Sequence, residues 1–356
     1  MTRSTIAEFE GWPSLLTQLL EGRDLTAAQA EAAITEILRG DATASQMTAF
    51  IVALRAKGET SEELGGMLHA VRSAGNRVSL EASLAARAID IVGTGGDKSN
   101  SVNVSTMAAL VTAGAGVPVC KHGNRAASSK CGSADLLEAA GLAIELDPEG
   151  VEATIATSGF GFCLAARFHP AFRYTGPSRR EIGVPTAFNL LGPMANPAPI
   201  TRMLVGVAMP GMMDNMAAAL QSRGIETAWV VHGHGGLDEL AVSGPNTVCE
   251  LRDGVVSRFE IDARVHGIAP SRLEDVRGGS PEDNLVALRS LLDGTKGPVR
   301  DIVVFNAGCA LHIAGLAADI GEGIERAAAS IDSGAAAGVL AVAVAESRRQ
   351  AERMEQ

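Results

Sequence analysis

Residues 90–141 read DIVGTGGDKSNSVNVSTMAALVTAGAGVPVCKHGNRAASSKCGSADLLEAAG, and their order decides the fold. Residues 88–92 are an apolar run of strand length. Gly93-Thr94-Gly95-Gly96-Asp97 follow at once. Short polar residues come next, with Ser101, Asn103, Ser105 and Thr106 among them, and an apolar helical pattern starts behind Ser105. Glycines let backbone approach a ligand with no Cβ in the way. Ser105 and Thr106 fall where a helix start offers free N–H groups and its positive dipole end. Strand, glycine turn and helix start together make a cradle for phosphate. A second cradle follows one βα unit later. Residues 117–120 read as a buried strand. Lys121, His122, Gly123, Asn124, Arg125, Ser128, Ser129, Lys130 and Ser133 then precede the helical run 134–140, with no acid before Asp135. Two anion-seeking loops at neighbouring strand ends point to one ligand with two phosphorylated ends. Neither common nucleotide motif is present: no Gly-Lys-Ser/Thr closes a P-loop, and Lys98 breaks the GxGxxG spacing.

Outward from this stretch, strands and helices alternate. Strands are expected at 143–146, 161–164, 203–208, 228–232, 247–251 and 302–306. A hairpin partner is expected at 255–261, turning at Asp253-Gly254. Asp147-Pro148 is a helix start, and 212–223, 283–292, 320–333 and 335–353 read as helices. Such alternation predicts a mainly parallel sheet covered by helices, with ligands beyond the strand carboxyl ends. Residues 1–75 read differently. Three capping boxes, Thr26/Gln29, Thr43/Gln46 and Thr60/Glu63, each open an amphipathic helix. The fold class is therefore α/β: a small N-terminal α-helical domain over 1–75, then a larger α/β domain with a mainly parallel central sheet over 80–356.

Bulk composition narrows the function. The net charge of −11 argues against a nucleic-acid binder, which needs a basic surface. Yet residues 153–180 contain no acid while holding Arg167, His169, Arg173, Arg179 and Arg180. A basic lining in an acidic protein suits a small anionic ligand. Five scattered cysteines form neither a disulfide framework nor a zinc pattern, which points to a reducing compartment, the cytoplasm. The apolar run at 334–345 is too short to span a bilayer, so no membrane role is expected. After a strand, His232-Gly233-His234-Gly235-Gly236-Leu237-Asp238-Glu239 places two adjacent acids behind a glycine loop. Alone, that pair reads either as acids in a helix's first turn or as oxygen ligands for Mg²⁺. The two histidines would suggest zinc, but no third ligand stands at zinc spacing.

GTGGD–N–NxST followed by KHGNR–SS–GSAD, REIGVPTAFNLLGP at 180–193 and HGxGGLDE at 232–239 resemble the anthranilate phosphoribosyltransferases over nearly the whole chain. The resemblance implies a nucleoside phosphorylase/phosphoribosyltransferase-like fold, with about 167–193 returning to the helical domain. It implies transfer of a phosphoribosyl group from 5-phosphoribosyl 1-diphosphate to the amine of anthranilate, in a cytoplasmic homodimer of the tryptophan pathway. Phosphoribosyl diphosphate would lie on Gly93, Gly96, Asp97, Ser101, Asn103, Val104, Ser105, Thr106, Lys121, His122, Gly123, Asn124, Arg125, Ala126, Ala127, Ser128, Ser129 and Ser133. Anthranilate would meet Gly93, Asn124 and Arg179. Ser105, Asp238 and Glu239 would hold Mg²⁺. No side chain is assigned as acid, base or nucleophile; Lys121, Asn124 and Arg179 would position groups and neutralise charge. His122, Arg167, His169 and Phe172 would line the acceptor channel. Departures from the family pattern are small: Cys131 for a common serine, Ser101 for threonine, Gly235 for a frequent acid and Pro185 for a frequent arginine. The rival readings are a pyrimidine nucleoside phosphorylase, whose sequence differs at KHGNR, and a non-catalytic nucleic-acid-binding paralogue. The net charge and the intact Asp238-Glu239 pair argue against the latter.

Overall fold

The structure is a computed structural model that describes residues 5–126 and 129–356. One seven-stranded sheet organises the larger part of the chain, in the order β3-β2-β1-β4-β5-β6-β7. Strands β1 (Ile89–Gly93), β2 (Val119–Gly123), β3 (Phe160–Leu164), β4 (Arg202–Gly206) and β5 (Thr227–His232) run parallel. Strands β6 (Asn246–Arg252) and β7 (Val255–Ile261) are antiparallel at one edge, turning at Asp253 and Gly254. Residues alternate faces along each strand. Ile89 and Ile91 join a core with the helices Val104–Gly114, Pro298–Ile313 and Ile320–Asp332. Val92, Met203, Val205 and Val230 face the other way, into a core shared with Met213–Ser222 and the N-terminal helices.

Those N-terminal helices are Gly11–Leu20, Ala27–Arg39, Ala44–Lys57 and Ser61–Ala74. All three expected capping boxes form, at Thr26, Thr43 and Thr60. The helix Gly176–Ile182 packs on Ala44–Lys57, and Ala187–Met194 packs on Ser61–Ala74.

Two expected strands do not exist. Residues 302–306 lie inside the 16-residue helix Pro298–Ile313, which is buried on nearly all sides. An apolar run without polar interruption has no helical signature to read, so its β-branched residues misled. Residues 143–146 form no strand. They alternate in burial because they lie on the C-terminal helix Ala335–Glu355, where Ala143 N donates to Ser347 Oγ at 3.0 Å. No single helix among the described residues is long and apolar enough to cross a membrane.

The strand order reverses direction between β1 and β4, with β2 and β3 wound to one side and β5 to the other. Such a switch point opens a crevice at the strand carboxyl ends. Gly93 and Gly206 are register partners at that crevice.

Candidate active site

The crevice is a cleft of about 420 Å³. Its floor depends on the two glycines. A Cβ on Gly93 would stand 2.5 Å from Asp238 Oδ2, and one on Gly206 would overlap the Asp238 carbonyl oxygen. Asp238 therefore settles over the ends of β1 and β4 only because neither strand carries a side chain there. Its Oδ2 accepts from Gly95 N at 2.6 Å. Glu239 beside it accepts from Ser105 N at 3.3 Å, at the start of the helix Val104–Gly114. Both acids lie in a bend after the short turn His234–Gly236, not in a helix's first turn.

Burial pushes the Asp238 carboxyl up, and the neighbouring Asp97 pushes it the same way. Glu239 is raised by burial and then by Asp238, while Lys121 pulls it down. Crowded carboxylates of this kind are costly to ionise together without a cation. Lys121 supplies one beside Glu239. It is 1% exposed, and its Nζ donates to Ile91 O at 2.5 Å and Ser105 Oγ at 3.3 Å. Burial lowers its pKa, opposed by Asp90 and Glu239.

The donor set fits Mg²⁺. Asp97 Oδ2 and Thr106 Oγ1 are buried without a partner in the same wall. Among the described residues no three His, Cys, Asp or Glu side chains converge as a metal cage. Mg²⁺ does not need one, because it keeps waters and takes phosphate oxygens with one or two carboxylates. The zinc alternative gains no support, because neither His232 nor His234 lines the cleft and no third ligand converges on them among the described residues.

Most of the residues singled out from sequence line this cleft: Gly93, Gly96, Asp97, Ser101, Asn103, Ser105, Thr106, Lys121 to Ala126, Ser129, Ser133, Arg179, Asp238 and Glu239. Val104 does not; it is fully buried in the core behind the loop. Ala127 and Ser128 lie outside the described residues. Arg125 lines the cleft, but its guanidinium is drawn away to Asp135 at 3.2 Å and Glu138 at 2.7 Å. Arg179 stands differently. It reaches Asn189 Oδ1 at 3.4 Å and lies 5.4 Å from the Phe188 ring centre, and among the described residues no carboxylate pairs with it. An unpaired guanidinium over an aromatic ring suits a planar carboxylate. Of the expected acceptor channel, only His122 lines the cleft. His169 meets it edge to face from behind with ring centres 5.2 Å apart, Phe172 lies tilted against His169, and Arg167 is exposed.

Three further polar residues, Asn189, Asp90 and Asn196, support this region. Asn189 accepts from Arg179 and from Thr186 N at 3.0 Å. Asp90 and Asn196 are fully buried beneath the second loop. Asn196 Nδ2 donates to Asp90 Oδ2 at 2.8 Å and Cys120 O at 2.7 Å, and His122 N donates to Asp90 Oδ1 at 3.2 Å. Their signal in the sequence is a lone acid or amide inside an otherwise apolar run.

Comparison with known proteins gives a consistent result. Residues 13–75 match the glycosyl transferase family helical bundle domain, and residues 85–337 match the glycosyl transferase family a/b domain. The chain is 50% identical to the anthranilate phosphoribosyltransferase of Salinispora arenicola, covering 92% of this chain and 94% of the relative. It is 47% identical to that of Rhodococcus jostii, over 93% and 91%. Among solved structures, the enzyme of that name from Thermus thermophilus superposes with a TM-score of 0.88 at 40% identity, covering 94% of this chain and 99% of the other. The Saccharomyces cerevisiae enzyme in complex with phosphoribosyl diphosphate and Mg superposes at 0.86 and 27% identity, covering 95% and 98%.

Proposed function

Since the chain belongs to the anthranilate phosphoribosyltransferase family, we propose that its cleft joins the 5-phosphoribosyl group of phosphoribosyl diphosphate to the amine of anthranilate and releases pyrophosphate. The observation that carries this reading is one cleft that holds an acid pair, Asp238 buried and Glu239 half-buried, together with Arg179, which no carboxylate pairs with among the described residues.

The reaction breaks the bond from carbon 1 to the diphosphate oxygen and forms one to nitrogen. Negative charge gathers on the leaving group, so catalysis needs neutralisation and positioning more than a strong base. The aromatic amine attacks as a neutral nucleophile. Ser105, Asp238 and Glu239 would hold Mg²⁺, which when bound supplies positive charge to the leaving diphosphate. The backbone of the Gly93–Gly96 turn and the first turn of the helix behind it would donate to that diphosphate. Lys121, Asn124 and the hydroxyls of Ser129 and Ser133 would hold the ribose phosphate. Arg179 would grip the anthranilate carboxylate, with Asn189 fixing its orientation.

The helical unit in this reading is 1–75 with about 167–193, and the α/β unit is 80–356. It is supported by the packing of Gly176–Ile182 on the N-terminal helices. Two copies would pair through the helical unit in the cytoplasm, where the five buried free cysteines stay reduced. A sedimenting mass equal to one 36.6 kDa chain would contradict the pairing.

Purified protein with Mg²⁺, phosphoribosyl diphosphate and anthranilate is expected to quench anthranilate fluorescence and release pyrophosphate in equal amounts. Absence of turnover would reject the proposal. In the same assay Arg179→Ala is expected to raise the KM for anthranilate about a hundredfold, the scale of a lost charged hydrogen-bonding pair. The KM for phosphoribosyl diphosphate should stay nearly fixed; equal increases in both would remove Arg179 from the acceptor side.

A further inference from the structure

The loop from Asp97 to Asn103 does not hold its shape alone. Lys98 and Asn100 sit at φ of 61° and 52°, a left-handed region unfavourable to residues with a Cβ. A distant segment, residues 276–279, clamps it. Ser101 and Arg277 form an antiparallel bridge. Val102 N donates to Val276 O at 2.9 Å, and Gly278 N donates to Asn100 O at 2.8 Å.

The clamp is itself fixed to the helix Pro281–Leu292 by Asn284, which is 1% exposed. Asn284 Nδ2 donates to Gly279 O and Ser280 O, both at 3.0 Å. Its Oδ1 is buried without a partner and lies against position 278. A Cβ on Gly278 would stand 2.8 Å from both Asn284 Oδ1 and Ser101 O, and 3.0 Å from Val102 Cα. Only glycine lets the two backbones come so close. Gly278, Gly279 and Asn284 share the lining of a small crevice with Ser129 and Lys130 of the second loop. None of residues 276–279 lines the cleft itself.

Resting on the function proposed above, we propose that residues 276–279, fixed by Asn284, are a positioning element for the diphosphate. They hold the loop from Asp97 to Asn103 in the conformation that receives phosphoribosyl diphosphate, without touching substrate. Gly278 and Asn284 are the positioning residues. Displacing a binding loop by a few tenths of an ångström to an ångström is enough to weaken its ligand severely.

The test uses steady-state kinetics on Gly278→Ala and Asn284→Asp with Mg²⁺. The first forces the backbones apart. The second keeps the side chain's size but turns its donor into an acceptor facing two carbonyls. Each is expected to raise the KM for phosphoribosyl diphosphate about tenfold to a hundredfold. The KM for anthranilate at saturating phosphoribosyl diphosphate should stay within about twofold, the scatter of an uncoupled site. An unchanged KM for phosphoribosyl diphosphate, or equal rises for both substrates, would overturn the proposal. Hydrogen exchange on the unmodified chain gives a reading independent of whether either variant folds. Adding phosphoribosyl diphosphate and Mg²⁺ should slow exchange at 276–279 together with 99–102. Slowing at 99–102 with none at 276–279 would overturn the clamp. A wild-type chain without turnover would instead overturn the enzyme reading, so the two failures are distinct.

Discussion

Converting Asp238 to Asn and Glu239 to Gln together is expected to lower kcat/KM by about 10³-fold or more, roughly 4 kcal/mol of lost charge stabilisation. The remaining activity should no longer respond to Mg²⁺. Burial pushes both carboxyls up, Asp97 adds to the rise at Asp238 and Asp238 to that at Glu239, so in the empty cleft their charge is unfavourable. They are kept for what they bind, not for the fold. The neutral amides preserve shape, and the amide oxygen introduced in place of the Asp238 carboxylate can still accept from Gly95 N. The double variant should therefore unfold at the same temperature as the wild type or slightly higher, the usual trade between stability and function. A steady-state Mg²⁺ titration and a thermal melt check both halves. An unaltered Mg²⁺ response would take the pair out of the metal site.

Lys121→Met has the largest expected effect on stability. The ammonium is 1% exposed and lies among Asp90, Glu239 and the Ile91 carbonyl. Removing one partner from a buried charge cluster costs about 3–5 kcal/mol, because the remaining carboxylates stay uncompensated. The cost depends on pH, and Asp90 sets the sign. Burial pushes its carboxyl up to about 6, against pulls from Lys121, Asn196 and the His122 N–H. Between the ordinary carboxylate range and about pH 6 the folded chain thus binds more protons than the unfolded chain, and stability falls as pH rises. Without Lys121 the folded Asp90 holds its proton to still higher pH, and the decline extends toward neutrality. The variant's deficit in denaturant unfolding should be larger at pH 8 than at pH 5. A deficit independent of pH would show that lost packing, and not charge, dominates.

The legible parts of this protein were those that local rules govern. The capping boxes at Thr26, Thr43 and Thr60 need only residues three apart, and each formed. The strand–glycine–helix order around Gly93 announced a parallel sheet with its ligand at the strand ends, and the sheet has that form. Residues 302–306 were misread because a helix buried all round carries no polar face to set its period. Val104 falls inside the motif that the resemblance assigns to the diphosphate; its side chain turns into the core, which leaves its backbone for that role. The acceptor side was least legible. Arg179 is brought to the cleft by packing of Gly176–Ile182 on Ala44–Lys57, a contact between residues far apart in sequence. The clamp on the diphosphate loop was invisible for the same reason, since Ser101 and Arg277 meet only in the fold.

One cleft holds an acid pair for the leaving group's metal and a guanidinium for the incoming carboxylate. Diffraction from crystals grown with phosphoribosyl diphosphate, Mg²⁺ and a non-reactive anthranilate analogue tests it most directly. The diphosphate should lie on the Gly93–Gly96 turn with a metal ion beside Asp238 and Glu239, and the analogue's carboxylate should meet Arg179. A diphosphate bound elsewhere, or an analogue whose carboxylate turns away from Arg179, would contradict the account.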